Sequence, residues 1–140
     1  MTQVLSIALV NDRREIERLS GLVDQFGEAN GLADDDTNAV NLLLDEIVVN
    51  IISHGYDDKL EHQILVNLAL ENDILSIRVE DDGRPFNPLE APAPNLDLPI
   101  EERAVGGLGI YIARSIADQM QHHRENGRNI LTIKKRVSPV

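Results

Sequence analysis

Asp45-Glu46-Ile47-Val48-Val49-Asn50-Ile51-Ile52-Ser53-His54-Gly55-Tyr56 sets a carboxylate and an amide four residues apart in a run that is otherwise almost wholly apolar. In a helix, Glu46 and Asn50 lie on one face about one turn apart, beside a wide stripe of Val40, Leu43, Leu44, Ile47, Val48 and Ile51. Two polar groups that border a buried stripe point toward the edge of a cavity. Leu42, Val49 and Ile52 make further faces apolar, so the pattern predicts a central helix covered on more than one side. Asp34-Asp35-Asp36 precedes it, suits the positive end of its dipole and reads as an N-terminal cap rather than a metal site. The helix ends at about His54, where Gly55 stops it, and His54 itself suits the negative end of the dipole.

Upstream, Val4 to Val10 reads as a strand. Asn11-Asp12 can cap a helix from about Arg13 to Ala29, whose Ile16, Leu19, Leu22, Val23 and Phe26 recur at helical spacing before Asn30-Gly31 ends it. Downstream, Ile64 to Leu70 and Ile74 to Glu80 are two strands joined through Glu71-Asn72-Asp73 as an antiparallel hairpin. Asp81-Asp82-Gly83-Arg84-Pro85 breaks the second strand. A long loop with four prolines follows, and loops of that length in compact domains are often lids over ligands. Gly106-Gly107-Leu108-Gly109 opens a third helix through about Met120. Gln121 to Glu125 reads as a strand, Asn126-Gly127 as a turn and Asn129 to Val137 as the closing strand. The order predicts an α/β fold, a two-layer sandwich with a mixed, mostly antiparallel sheet and three main helices. It does not read as alternating βαβ units.

A length of 140 residues suits one domain. Aromatics make up only 3% of the chain, so the core is aliphatic. Twenty-four acidic against thirteen basic residues give a net charge of -11, which repels nucleic acid and anionic lipid at long range. No cysteine is present, and the four histidines are scattered, so neither a disulfide framework nor a zinc spacing exists. The start lacks a basic region followed by a long apolar one, and no run approaches the roughly 18 apolar residues of a membrane span. The expectation is a soluble cytoplasmic protein with no direct nucleic-acid or membrane partner.

Glu46 and Asn50 together fit metal-assisted phosphoryl transfer, the amide oxygen ligating a hard cation such as Mg²⁺ and the carboxylate orienting or deprotonating an attacking hydroxyl. Taken alone, the same spacing also fits a solvated helix stripe. Asp81, at the end of an apolar strand, can accept a hydrogen bond from an exocyclic amine such as that of adenine, with Gly83 letting backbone approach a flat ligand; an ordinary strand-end turn is the alternative. Gly106, Gly107 and Gly109 at a helix start offer unhindered amides to an anion, although no Gly-Lys-Ser or Gly-Lys-Thr follows as in a Walker A loop. Arg84 and Arg103 flank the loop and can neutralise phosphate charge when it closes.

These three motifs, in this order and separated by a lid, resemble those of the Bergerat-fold (GHKL) ATPases, the superfamily of gyrase, the heat-shock 90 chaperones, histidine kinases and MutL. Within it the chain is most similar to the stand-alone anti-sigma-factor serine/threonine kinases, through Glu46-x-x-x-Asn50-x-x-x-His54-x-Tyr56, Asp81-Asp82-Gly83-Arg84-Pro85-Phe86 and the Gly-Gly-Leu-Gly-Ile-Tyr-Ile run. The resemblance implies a single histidine-kinase-like ATPase domain over residues 1–140, with an ATP lid at 87–105. It implies Glu46 as catalytic base and Asn50 as the Mg²⁺ ligand. Asp81 would contact adenine, Gly83 would allow close nucleotide approach, and Gly106, Gly107 and Gly109 would bind phosphate; Leu108 would pack near the nucleotide or the sheet, and Arg103 would reach it from the lid. ATP and Mg²⁺ are the cofactors so implied. A sigma factor and a STAS-domain antagonist phosphorylated on serine or threonine are the partners, and homodimerisation is typical of the family. Two other readings stay open on sequence alone: a non-catalytic nucleotide-dependent binding module, and a slow ATPase or histidine-kinase-like catalytic domain.

Overall fold

The computed structural model describes residues 2–90 and 107–138. Strand β1 (Gln3–Val10) leads into helices α1 (Glu15–Ala29) and α2 (Asp34–His54); strands β2 (Gln63–Glu71) and β3 (Ile74–Asp81) follow. A short 3₁₀ turn (Pro88–Glu90) comes next, then helix α3 (Gly107–Ile116) and strands β4 (Gln119–Glu125) and β5 (Arg128–Arg136). The strands form one sheet in the order β1-β2-β3-β5-β4. The sheet, expected to be mixed and mostly antiparallel, is antiparallel at each of its four pairings.

Strict alternation decides which face is buried. Ile64, Val66, Leu68 and Leu70 of β2 point inward, as do Leu75, Ile77 and Val79 of β3. They meet Leu19 and Val23 of α1 and Val40, Leu43, Leu44, Ile47 and Val48 of α2 in one aliphatic core. The opposite sheet face carries Asn67, Arg78, Thr132 and Lys134, so the architecture is two layers with all three helices on one side. Helix α2 packs on α1 on one flank and on α3 on the other, which is why its apolar stripe is wider than a surface helix needs.

Two turns fix the register. Asn72 takes a left-handed φ of 56° between β2 and β3, while Asn126 and Gly127 both take positive φ, 54° and 75°, between β4 and β5. The second pair is the conformation that Asn-Gly adopts in two-residue hairpins.

Three local expectations change. Helix α1 starts at Glu15, and Asp12 serves it from outside by accepting the Arg14 N–H at 2.9 Å. Helix α3 stops at Ile116 instead of running to Met120, because Gln119 and Met120 pair with Lys134 and Ile133 of β5. The N-cap of α2 is Ala33, with no side-chain capping bond. Asp34, Asp35 and Asp36 occupy the first turn, where their charge meets the dipole. Asp36 accepts the Ser138 N–H at 2.6 Å and lies 3.8 Å from the Lys135 ammonium, tying the chain's end to the helix start.

Candidate active site

Helix α2 carries Glu46 and Asn50 on the side that faces α3. The approach is close: a β-carbon on Gly109 would lie 3.0 Å from Glu46 Cδ and run into its Oε2. Glycine at this position therefore lets the Glu46 carboxylate sit against the first turn of α3, where backbone N–H groups have no helical partner. One turn further along, Asn50 donates from Nδ2 to the Glu46 carbonyl at 3.1 Å. That bond fixes the amide and leaves Oδ1 as an acceptor with no donor among the described residues.

At the other side of the same cleft, Asp81 is only 5% exposed. Its Oδ1 accepts the Gly83 N–H at 2.8 Å and the Asn129 Nδ2 at 3.1 Å. Burial pushes the Asp81 carboxyl above the usual carboxylate range, while the hydrogen bonds from Asn129 and Gly83 act the other way. Between Asn50 and Asp81 lies a cavity of about 190 Å³ with Ile47, Val79, Ile110 and Leu131 on its walls. Its lining is mostly apolar, with the Asp81 carboxylate, the amides of Asn50 and Asn129, and His54, Arg84 and His122 as its polar groups.

Gly83 has a further reason to be glycine. A β-carbon there would fall 2.7 Å from the Gly55 carbonyl and 2.9 Å from Asp81 Oδ1, and the Arg84 N–H donates to the same Gly55 carbonyl at 2.8 Å. The close approach at Gly83 is thus made to the backbone that ends α2. It fastens the turn after β3 to the helix that bears Glu46 and Asn50.

Of the residues singled out in the sequence, Asn50 and Asp81 line one cleft, Glu46 stands one helical turn from Asn50, and Gly83 closes the turn beside Asp81. Gly107, Leu108 and Gly109 form the first turn of α3. Arg103 and Gly106 lie outside the described residues, as does the lid from 91 to 105. Arg84 lines the cavity, with its guanidinium 3.8 Å from the exposed Asp57. His54 also lines the cleft from the last turn of α2.

Three residues escaped the sequence reading. Asn129 is buried beside Asp81, and Arg124 and His122 of β4 hydrogen-bond to it. Only strand pairing brings them there: Asn129 stands opposite Asp81, and Arg124 opposite Asn129. A polar residue at an inward position of an aliphatic strand was the available signal. Tyr56 and His62 stack with centroids 4.3 Å apart. His62 lies between Asp58 at 2.8 Å and Asp82 at 3.2 Å, and these two carboxylates hold its imidazolium above the ordinary histidine value. The Tyr56 hydroxyl is buried with no well-formed hydrogen bond, and burial, followed by the charges of Asp81 and Asp82, raises it far above the ordinary phenol.

Among the described residues, no group of three or more His, Cys, Asp or Glu side chains is arranged around a metal ion. The donor set fits Mg²⁺ nonetheless, since that ion is commonly held by one or two protein oxygens together with phosphate and water. No helix of the described residues is long and apolar enough to cross a membrane.

Residues 9–135 match the histidine kinase-like ATPase domain family. The serine-protein kinase RsbW of Bacillus mycoides is 31% identical over 114 residues, covering 77% of this chain and 71% of its own length. The serine/threonine-protein kinase BtrW of Bordetella bronchiseptica is 26% identical over 100 residues, 71% of this chain and 70% of its own. In structure, the chain superposes on the crystal structure of the RsbU and RsbW domains of Rv1364c from Mycobacterium tuberculosis with a TM-score of 0.72 at 18% identity. That match takes in 99% of this chain and one third (33%) of the larger one. The Erythrobacter litoralis blue-light activated histidine kinase EL346 superposes with a TM-score of 0.57 at 17% identity, covering 89% of this chain and 41% of its own. Fold, motif order and sequence agree: the chain belongs to the histidine kinase-like ATPase domain family, in its group of anti-sigma-factor serine kinases.

Proposed function

We propose that the chain is an ATP-dependent protein serine/threonine kinase that acts as an anti-sigma regulatory factor and phosphorylates a STAS-type antagonist in a partner-switching system. One observation carries this reading: Glu46 stands against α3 one turn from Asn50, and Asn50 and the buried Asp81 line one cleft. Affinity for a nucleotide alone would need no carboxylate at position 46.

The cavity between Asn50 and Asp81 is smaller than the roughly 300–1,000 Å³ of drug-sized pockets, which suits a base with the phosphates directed outward toward α3. Asp81 accepts a hydrogen bond from the exocyclic amine of adenine. The amides of Gly106, Gly107 and Gly109 at the start of α3 receive phosphate oxygens. Leu108, between them, packs by the nucleotide, and Arg103 approaches the phosphates from the lid spanning 87–105. Asn50 holds Mg²⁺ through Oδ1, the atom that its own Nδ2 bond leaves open; the ion, when bound, neutralises and orients phosphate charge. Glu46 accepts the proton of the antagonist's serine or threonine hydroxyl as its oxygen bonds to the γ-phosphorus and the bond to the β-phosphate oxygen breaks. The whole chain then works as one ATPase domain in the cytoplasm, able to pair with a second copy and to sequester a sigma factor.

Glu46→Ala separates binding from chemistry. The variant keeps its affinity for ATP, measured by titration with Mg²⁺, and loses transfer to the antagonist by about 10²–10⁴-fold, the range for a general base. Wild-type transfer by this variant overturns the assignment of Glu46.

A further inference from the structure

Asn129 is the second residue of β5, stands opposite Asp81 in the sheet register and is 6% exposed. Its amide makes a full set of bonds. Nδ2 donates to Asp81 Oδ1 at 3.1 Å and to the Arg84 carbonyl at 2.9 Å. Oδ1 accepts from Arg124 Nη1 at 3.0 Å, from the Phe86 N–H at 3.3 Å and from His122 Nε2 at 3.3 Å. A guanidinium and a backbone N–H can only donate, and a backbone carbonyl can only accept, so the amide has one orientation and cannot flip. His122 must then carry its proton on Nε2.

The consequence falls on Asp81. With the amide so fixed, Asp81 Oδ1 always faces N–H donors, from Asn129 and from Gly83. Both bonds favour the ionised carboxylate against the burial that favours the neutral acid. No donor among the described residues reaches Oδ2, which remains the acceptor that Asp81 offers to the cleft. Around it stand Asp82 on the same turn, Tyr56 and His54 from the end of α2 and the segment after it, Arg84 beyond the turn, and His122 and Arg124 from β4. Of these, Arg124 supports the ionised form and Asp82 opposes it.

We propose that Asn129 is a positioning residue that fixes Asp81 as a hydrogen-bond acceptor, so that the cleft selects a base bearing an exocyclic amine over one bearing a carbonyl at that place, adenine over guanine. The inference rests on the nucleotide reading above and adds the group that sets its base selectivity. A carboxylate meets an amine favourably and a carbonyl unfavourably; a protonated Asp81 could donate to the carbonyl and would lose that distinction. The same amide holds the Arg84 carbonyl and the Phe86 N–H, so the foot of the lid segment is anchored to the base-reading carboxylate.

The test is calorimetric titration of ADP and GDP into the full chain, as wild type, Asn129→Asp and Asn129→Leu, from pH 5.5 to 8. The wild type prefers ADP throughout. Asn129→Asp keeps the shape but sets a second carboxylate against Asp81, and its ADP affinity falls on the order of 10–100-fold at pH 8. At pH 5.5 one shared proton restores a donor between the two carboxyls, so most of that loss is recovered. Asn129→Leu recovers nothing, and its ADP-to-GDP ratio narrows as pH falls. Wild-type ADP affinity in Asn129→Asp at pH 8, or equal and pH-independent losses in both variants, overturns the proposal and leaves the nucleotide reading standing. A wild type that binds neither nucleotide overturns that reading and the proposal with it. Should Asn129→Asp not fold, the ¹³C titration of the Asp81 carboxyl decides: it moves upward in Asn129→Leu relative to wild type, and an unchanged titration contradicts the proposal.

Discussion

Gly109 shows how closely the position of Glu46 depends on a missing side chain. The carboxylate of Glu46 occupies the space that a β-carbon on α3 would take, so Gly109→Ala must displace Glu46 or lift the helix. Displacements of about 1 Å in reacting groups cost on the order of 100-fold in rate, and that loss is expected in phosphoryl transfer for Gly109→Ala, measured with ATP saturating. Glu46 and Asn50 were visible in the sequence because a carboxylate and an amide interrupt an apolar run at one-turn spacing, and Asp81 because it ends an apolar strand ahead of a glycine. Asn129, Arg124 and His122 were not, because their place beside Asp81 is created by the β3-β5 and β4-β5 registers. Gly83 was found for a reason that needs enlarging, since its β-carbon space is filled by the Gly55 carbonyl.

Strands and helices were read mainly from their apolar period, and they match wherever the period is long. Helix α2 ends at His54 as expected but starts at Asp34, within the acidic run expected to precede it, and the β2-β3 hairpin is displaced by at most one residue at its ends. The failures lie where the period says little. The end of α3 is set by Gln119 and Met120 joining β5, and the start of α2 is held by Asp36 reaching Ser138, 102 residues away. The turn between β4 and β5 was legible from Asn126-Gly127 alone, and its chemistry gives a clean test. Gly127 has a φ of 75° and nothing within 4 Å of a β-carbon position, so Gly127→Ala probes the backbone without a clash. A left-handed alanine costs about 1–2 kcal/mol, and urea denaturation should show a loss of that size with an unchanged slope.

Across the folded chain, His62 links the segment after α2 to the turn that carries Asp81, through Asp58 on one ring nitrogen and Asp82 on the other. Its folded-state value is raised above the ordinary 6.5 by those two carboxylates. The folded protein therefore binds this proton more tightly than the unfolded chain does, and the linked stability is fully present below pH 6.5 and is lost as pH rises through the raised value. Urea denaturation from pH 5.5 to 8.5 should show that decline in the wild type and a flatter profile in His62→Gln; parallel profiles contradict the role given to the cluster. The two-layer fold and the cleft between α2, α3 and β3 could be anticipated from motif order, whereas this clamp could not, since it joins two segments some twenty residues apart, the one after α2 and the turn after β3. What the cleft transfers, and to which atom, is decided by incubating the protein with γ-³²P-ATP, Mg²⁺ and, one at a time, the STAS-domain proteins of the same organism. The account predicts acid-stable label on a serine or threonine of one of them. Acid-labile label on a histidine, or label released only as free phosphate, would contradict it.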